Sequence, residues 1–260
     1  MDSNLLRKLG DELHDALTTR RTVAPLTSRG LDLTVDDAYR IQEHMVAHRL
    51  RAGERVVGKK IGVTSKVVQQ MLNVHQPDFG WLLSGMVYAE GEPIPADRLI
   101  QPRAEGEIAF VLKRDLRGPG VTAADVLAAT ECVLPCFEIV DSRIQDWKIR
   151  IEDTVADNAS CGAFVLGGRA VDPRDVDLRL CGMVLEKNGE VVGTGAGAAA
   201  LGSPVNAVAW LANTLGRLEI PLLAGEVILS GSLAALVPVK EGDSLRVEVG
   251  GMGGCSVRFV

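Results

Sequence analysis

Apolar residues recur at helical spacing over the first fifty residues and at strand spacing over most of the remainder. Leu5, Leu6, Leu9, Leu13, Ala16 and Leu17 share one face, which predicts an amphipathic helix over residues 3–20. A second helix opens at Thr34, an N-cap with Asp37 three positions on, continues through Ile41 and Met45, and stops at Gly53. Val56 to Val63 is apolar at both ends and predicts a strand, with Gly58-Lys59-Lys60-Ile61-Gly62 in its middle. Ser65 caps a short helix carrying Val67, Val68 and Leu72, and Val74 to Gly80 reads as a turn-rich loop containing Asp78.

From there the period is two. Short strands are expected at Met86–Ala89, through Glu105–Leu112, at Cys132–Val140 and at Cys161–Leu166, with a helix from Thr122 to Ala129. Leu180–Glu186 and Glu190–Thr194 flank Asn188-Gly189, a hairpin turn signal. Ser203-Pro204 opens a helix to Leu215, and four more short strands follow at Gly225–Ser230, Ala234–Val239, Ser244–Val249 and Cys255–Val260. With no repeat and no linker, this pattern predicts one continuous α+β unit. Residues 1–80 form an N-terminal helical portion with the lysine strand and the Asp78 loop, and residues 81–260 a β-rich body.

At 260 residues and 47% hydrophobic, the chain is long enough for a sizeable core without staples. The net charge of −6 and the lack of a Lys/Arg-rich tract argue against a nucleic-acid or anionic-membrane partner. No apolar run approaches the ~18 residues of a membrane span, and the N-terminus has no signal-peptide pattern. The five cysteines form no Cys-x-x-Cys pair and sit in apolar stretches, as reduced core thiols do. A cytoplasmic protein is the expectation.

The most unusual chemistry lies in the strand from Glu105 to Leu112. Alternation puts Glu105 and Glu107 on the same face, roughly 6.6 Å apart at Cα for a two-residue step. Glutamate is a poor strand former, and two carboxylates about 4 Å apart repel by roughly 4 kcal/mol at an effective dielectric near 20. A hard divalent cation such as Mg²⁺ or Mn²⁺ relieves that repulsion. Taken alone, Glu-x-Glu is more often the mark of a solvated edge strand with two exposed glutamates.

Other candidate motifs fail on context. His44 and His48 have helical i, i+4 spacing, but no glutamate lies between them and no third ligand is near, so they read as histidines at the rim of a packed helix. Gly193-Thr-Gly195-Ala-Gly197 follows a hairpin strand instead of opening a βαβ unit, which excludes a dinucleotide loop. There is no Gly-x-Ser-x-Gly elbow. What remains is Glu105, Glu107, Glu138, Asp141, Asp157 and Asp78, with Lys59, Lys60 and Arg143 as counter-charges. Three carboxylates and a dication leave a net −1, so an anionic substrate needs a further cation. Lys59 and Lys60 face opposite ways on a strand, and alternation does not choose between them.

Five motifs in order resemble one family. They are Gly58-Lys-Lys-Ile-Gly-Val-Thr-Ser65, Gln76-Pro-Asp-Phe-Gly80, Gln101-Pro-Arg-Ala-Glu-Gly-Glu107, Pro135-Cys-Phe-Glu-Ile-Val-Asp-Ser-Arg143 and Ala156-Asp-Asn-Ala-Ser160. Together they are similar to the 2-hydroxypenta-2,4-dienoate (2-oxopent-4-enoate) hydratases of the fumarylacetoacetate hydrolase superfamily, over essentially the whole chain. The resemblance implies a mixed β-roll or β-sandwich core with an N-terminal helical portion, and hydration of the dienoate to 4-hydroxy-2-oxopentanoate in catechol meta-cleavage. It also implies Mg²⁺ or Mn²⁺ on Glu105, Glu107 and Glu138, and an active-site lysine at Lys60. Asp78 would transfer protons or orient water, and Ser160 and Ser232 would bind substrate oxygens. A homo-oligomer built from pentameric rings (a pentamer or decamer) and a complex with 4-oxalocrotonate decarboxylase are further implications. That decarboxylase is the sister activity, and Asp78 favours the hydratase over it. A non-catalytic organic-acid binder in a pathway complex is the remaining alternative. Trp81 departs from the tyrosine expected there, with an altered pocket shape as the expected consequence.

Overall fold

The computed structural model describes residues 1–71 and 73–260. Helix α1 (Ser3–Thr19) lays Leu6, Leu9 and Leu13 against α2 (Val35–Arg51), which contributes Ala38, Ile41 and Met45. The expected capping box opens α2: the Asp37 amide donates to Thr34 Oγ1 at 3.1 Å, and the Thr34 amide donates to the Asp37 carboxylate. Strand β1 (Val56–Gly62) leads to α3 (Lys66–Met71), capped by a Val68 N–H bond to Ser65 Oγ. Of the apolar positions expected in α3, Leu72 and the Val67 side chain lie outside the described residues.

Strands β2 (Asp78–Leu83) and β3 (Val87–Tyr88) come next. Asp78 is the first residue of a strand and not part of a loop, because Gly62 and Asp78 are the last rung of the β1–β2 ladder. The long strands β4 (Pro102–Leu112) and β5 (Thr130–Asp141) flank α4 (Ala123–Ala129). Then follow α5 (Ile151–Ala156), β6 (Cys161–Leu166), β7 (Gly182–Lys187), β8 (Glu190–Ala196) and α6 (Pro204–Gly216). The chain ends with β9 (Val227–Leu229), β10 (Val237–Pro238), β11 (Ser244–Val249) and β12 (Gly253–Arg258). Asn188 (φ 54°) and Gly189 (φ 85°) make the two-residue β7–β8 turn that their sequence calls for. Proline takes the first turn of α6 as expected, although no side-chain cap bond from Ser203 forms among the described residues.

The described residues form two sheets. The larger runs β2-β1-β9-β4-β5-β6-β3 with β10 also on β4, and the smaller runs β12-β11-β7-β8. Residue 80 lies inside β2, so β1 and β2 belong to the same sheet as the body strands. Alternation on β4 and β5 sets the two faces apart. Ile108, Phe110, Phe137 and Ile139 are buried in one core cluster with Leu185, Leu245 and Val247 of the small sheet and Leu211 of α6. The opposite face of β4 and β5 carries Glu105, Glu107, Cys136 and Glu138.

Candidate metal centre and substrate cavity

The pairing register builds the acidic cluster. Glu105 on β4 lies directly across from Glu138 on β5, and Glu107 across from Cys136, so the three glutamates share one face. Each offers an oxygen within 4.8 Å of the others. Glu138 is 0% and Glu107 1% exposed. Glu107 accepts a hydrogen bond from the Gly231 amide at 2.8 Å. Neither oxygen of Glu138 receives one from the described residues. A buried carboxylate without directed donors is costly unless a cation meets it. All-oxygen donors in this number suit Mg²⁺ or Mn²⁺, so the residues present fit such an ion.

β1 decides between the two lysines. Lys60 lies opposite Gly80 on β2 and turns toward the cluster, its Nζ 3.1 Å from Glu138 Oε1, near enough for charge but off the line of a hydrogen bond. Lys59 points the other way, bonds both oxygens of Glu226 at 2.6 Å and sits 5.3 Å from the Trp81 ring centroid. Trp81 pairs with Lys59 across β1 and β2, on the face away from Lys60. It therefore does not line the cavity, and the expected change of pocket shape is not what its position produces.

Asp78 shares the Lys60 face, one diagonal step along the ladder. It is 2% exposed, and its Oδ1 has no partner among the described residues. Opposite it stands Gly62, where a Cβ would fall 2.2 Å from Asp78 Oδ1 and 3.3 Å from Lys60 Nζ. The glycine is what lets the strand pass so close to these groups.

Burial and mutual repulsion govern the electrostatics. Burial, then the charge of Glu138, pushes Glu105 up to about 8, and Glu107 is raised well above the usual carboxylate range for the same reasons. Glu138 and Asp78 are raised by burial against the opposing pull of Lys60. Burial disfavours the Lys60 ammonium, but Glu138, Asp78 and Glu105 outweigh it, so Lys60 holds its proton more firmly than a free lysine.

Of these groups, Lys60, Asp78 and Glu105 open onto a cavity of about 750 Å³, with Glu107 and Glu138 set behind its wall. Lys60, Asp78, Glu105, Ser160 and Ser232 line its polar end, and Val140, Ile149, Leu233 and Leu236 its apolar walls. Ser160 closes a run of three left-handed residues, Asn158, Ala159 and Ser160, with φ of 53°, 48° and 54°. Such a run costs roughly 1–2 kcal/mol per residue. Asn158 offsets this by clamping the Trp81 backbone, accepting from its N–H at 2.8 Å and donating to its C=O at 3.0 Å. Arg143 and Asp157, both 0% exposed, form a buried ion pair beneath the run, with further Arg143 donors to the carbonyls of Asp141, Asp157 and Cys161. Asp141 caps the amides of Ile100 and Gln101 at 2.9 and 2.7 Å. Asp141, Asp157 and Arg143, grouped with the acidic chemistry on sequence, are thus brought to the framework and not to the cavity.

Elsewhere, His48 bonds Asp11 at 2.6 Å and stacks on His14, and the glutamate trio is the one candidate metal cluster among the described residues. All five cysteines are free thiols. Arg103 and Trp147, to which the sequence motifs assign no role, also line the cavity. Arg103 had a signal, since it stands two residues before Glu105 and so on the same strand face. Trp147, in a charged loop, had none.

Residues 51–260 match the Fumarylacetoacetate (FAA) hydrolase C-terminal family. A 2-hydroxypent-2,4-dienoate hydratase of Pseudomonas putida is 71% identical over 221 residues, 85% of this chain and 100% of the relative. A 2-hydroxyhexa-2,4-dienoate hydratase of Comamonas testosteroni is 60% identical over 99% of this chain and 98% of its own. Among solved structures, 4-oxalocrotonate decarboxylase from Pseudomonas putida G7, complexed with magnesium and adipate, superposes with a TM-score of 0.97 at 37% identity, covering 100% of this chain and 99% of that one.

Proposed function

The chain belongs to the fumarylacetoacetate (FAA) hydrolase C-terminal family, and from that membership we infer a metal-dependent hydratase that adds water to 2-hydroxypenta-2,4-dienoate, giving 4-hydroxy-2-oxopentanoate in the meta-cleavage breakdown of aromatic compounds. The observation that carries this reading is the cluster of Glu105, Glu107 and Glu138, with Glu107 and Glu138 buried, which meets Lys60 at Glu138 and reaches the cavity through Glu105, beside Lys60 and Asp78. Hydratases stand among its relatives at 71% and 60% identity.

In this reading Glu105, Glu107 and Glu138 hold Mg²⁺ or Mn²⁺. When bound, the ion supplies Lewis-acid stabilisation of negative charge on the substrate's C2 oxygen. Lys60, kept charged by its carboxylate neighbours, adds a fixed positive charge beside that oxygen and the substrate carboxylate. The substrate loses its enol proton and gains one at C5, which gives a conjugated 2-oxo-3-enoate. Water then adds across C3 and C4, its hydroxyl to C4 and a proton to C3. Asp78 carries protons for these steps, its carboxyl holding a proton more firmly than an ordinary aspartate because it is buried. Ser160 and Ser232 hydrogen-bond substrate oxygens from the cavity wall.

The same reading makes the protein a cytoplasmic homo-oligomer of pentameric rings, able to associate with a 4-oxalocrotonate decarboxylase. Exposed Val191 (60%) and Val192 (45%) on β8, the edge strand of the small sheet, support self-association. No helix of the described residues is long and apolar enough to cross a membrane. Light scattering of the purified protein tests the assembly.

Loss of the dienoate's ultraviolet absorbance on adding protein and Mn²⁺, abolished by chelator, tests the activity. Carbon dioxide release from 2-oxo-3-hexenedioate without dienoate hydration would make the protein the decarboxylase instead. Binding of either acid without turnover would make it a carrier.

A further inference from the structure

One cation on the cavity wall is left without a counter-charge by the hydration chemistry. Arg103 lies on β4 opposite Val140 of β5 and Pro238 of β10, and its side chain lines the cavity. Its guanidinium sits 4.4 Å from the Trp147 ring centroid. Among the described residues it takes no carboxylate partner, unlike Arg143 with Asp157 or Arg49 with Glu54.

The platform beneath it is built. The Trp147 indole N–H donates to the Gln101 carbonyl at 2.9 Å, and the Gln101 side-chain amide is anchored in turn on the Ser142 and Ile144 carbonyls. Asp146 and Trp147 both adopt left-handed backbone, with φ of 57° and 55°, to present the ring. A guanidinium stacked on an indole keeps its in-plane N–H donors free to fork a carboxylate.

Arg103, Glu105 and Glu107 occupy successive same-face positions of β4. Arg103 therefore stands one strand step, roughly 6.6 Å at Cα, outward from the first glutamate. An extended chain advances ~1.2 Å per bond, so the five bonds between the carboxyl carbons of a six-carbon dicarboxylate span about 6 Å. A 2-oxo acid chelated at the glutamate end, beside Lys60, thus brings its far end toward Arg103. A five-carbon dienoate has no charge there.

We propose that Arg103 is a specificity-determining residue that binds the distal carboxylate of six-carbon 2-oxo dicarboxylic acids, which makes such acids ligands of this cavity alongside the dienoate. The proposal rests on the reading that the glutamate trio and its metal hold the 2-oxo acid end.

Calorimetric titration of the Mn²⁺-loaded protein with 2-oxoadipate and with 2-oxohexanoate compares two acids of equal chain length. The wild-type protein binds 2-oxoadipate about tenfold or more tightly than 2-oxohexanoate, although the apolar walls favour the latter's methyl end. Arg103→Met removes that preference, and Arg103→Lys retains part of it. The Mn²⁺ affinity of each variant, from a separate titration, reports an intact site. A wild-type ratio near one, or a preference that survives in Arg103→Met, overturns the role of Arg103 and leaves the chelate reading standing. Failure of both acids to bind removes the chelate, and the proposal with it.

Discussion

Replacing Lys60 with methionine keeps an unbranched side chain one atom shorter and removes one positive charge from among four carboxylates. Its Nζ is 3.1 Å from Glu138 Oε1, and Asp78 shares its strand face. Two unit charges about 4 Å apart interact by ~4 kcal/mol at an effective dielectric near 20. That energy now attracts the glutamates and opposes a metal ion. Without metal, the variant leaves buried carboxylates unpaired, a loss of about 3–5 kcal/mol. At ~2–4 °C per kcal/mol for a chain of this size, the metal-free melting temperature drops by about 6–20 °C. With metal the sign reverses. Repulsion between Lys60 and the dication is gone, so Mn²⁺ binds Lys60→Met about tenfold or more tightly at pH 8.5, where proton competition is weakest. Oxalate, a mimic of the 2-oxo acid end, binds the metal-loaded variant more weakly, because it has lost a cation. Scanning fluorimetry and calorimetric Mn²⁺ and oxalate titrations read all three effects on one preparation. Weaker Mn²⁺ binding with unchanged oxalate binding would refute the assignment of Lys60 as the substrate's counter-charge.

Asp78→Asn preserves shape but removes the ionisable proton carrier; turnover should fall by ~10²–10⁴-fold, with Mn²⁺ affinity changed by less than a few-fold, and full turnover would remove Asp78 from the mechanism. Lys59→Met leaves Glu226, 7% exposed, without its partner and should cost about 3–5 kcal/mol in a denaturation curve. Its Mn²⁺ affinity should stay within about twofold of wild type, since Lys59 lies on the opposite strand face; a matching loss of metal binding would overturn that division. Because Glu105 is raised from 4.5 to about 8, the metal-free folded state holds more protons than the unfolded chain between those values. This contribution to stability is full below pH 4.5 and is lost as pH rises to about 8. The melting temperature of chelator-treated protein should therefore fall across that window while the increment from Mn²⁺ grows, and an identical increment at both ends would count against the carboxylates as ligands.

Much of this was legible along the chain. Period-two alternation alone puts Glu105 and Glu107 on one face, Thr34 and Thr122 cap their helices through Asp37 and Asp125, and Asn188-Gly189 closes its hairpin as written. These are local properties, set by the pleat of a strand or the unpaired amides of a helix end, so neighbours in sequence suffice to determine them. The same-face glutamate pair and the α+β class belong to that level.

Which groups meet across the sheet was decided only by folding. Alternation said that Lys59 and Lys60 diverge, but the register of β1 against β2 and β9 turned Lys60 to the glutamates and Lys59 to Glu226, 167 residues away. Glu138 joined the trio because β5 pairs with β4 at Glu105, while Arg143, Asp141 and Asp157, equally charged and nearby in sequence, went into the framework. Burial and pairing energies depend on partners brought from distant strands, and a charge has the same identity in the sequence whether it ends beside a backbone amide, a counter-ion or an open cavity.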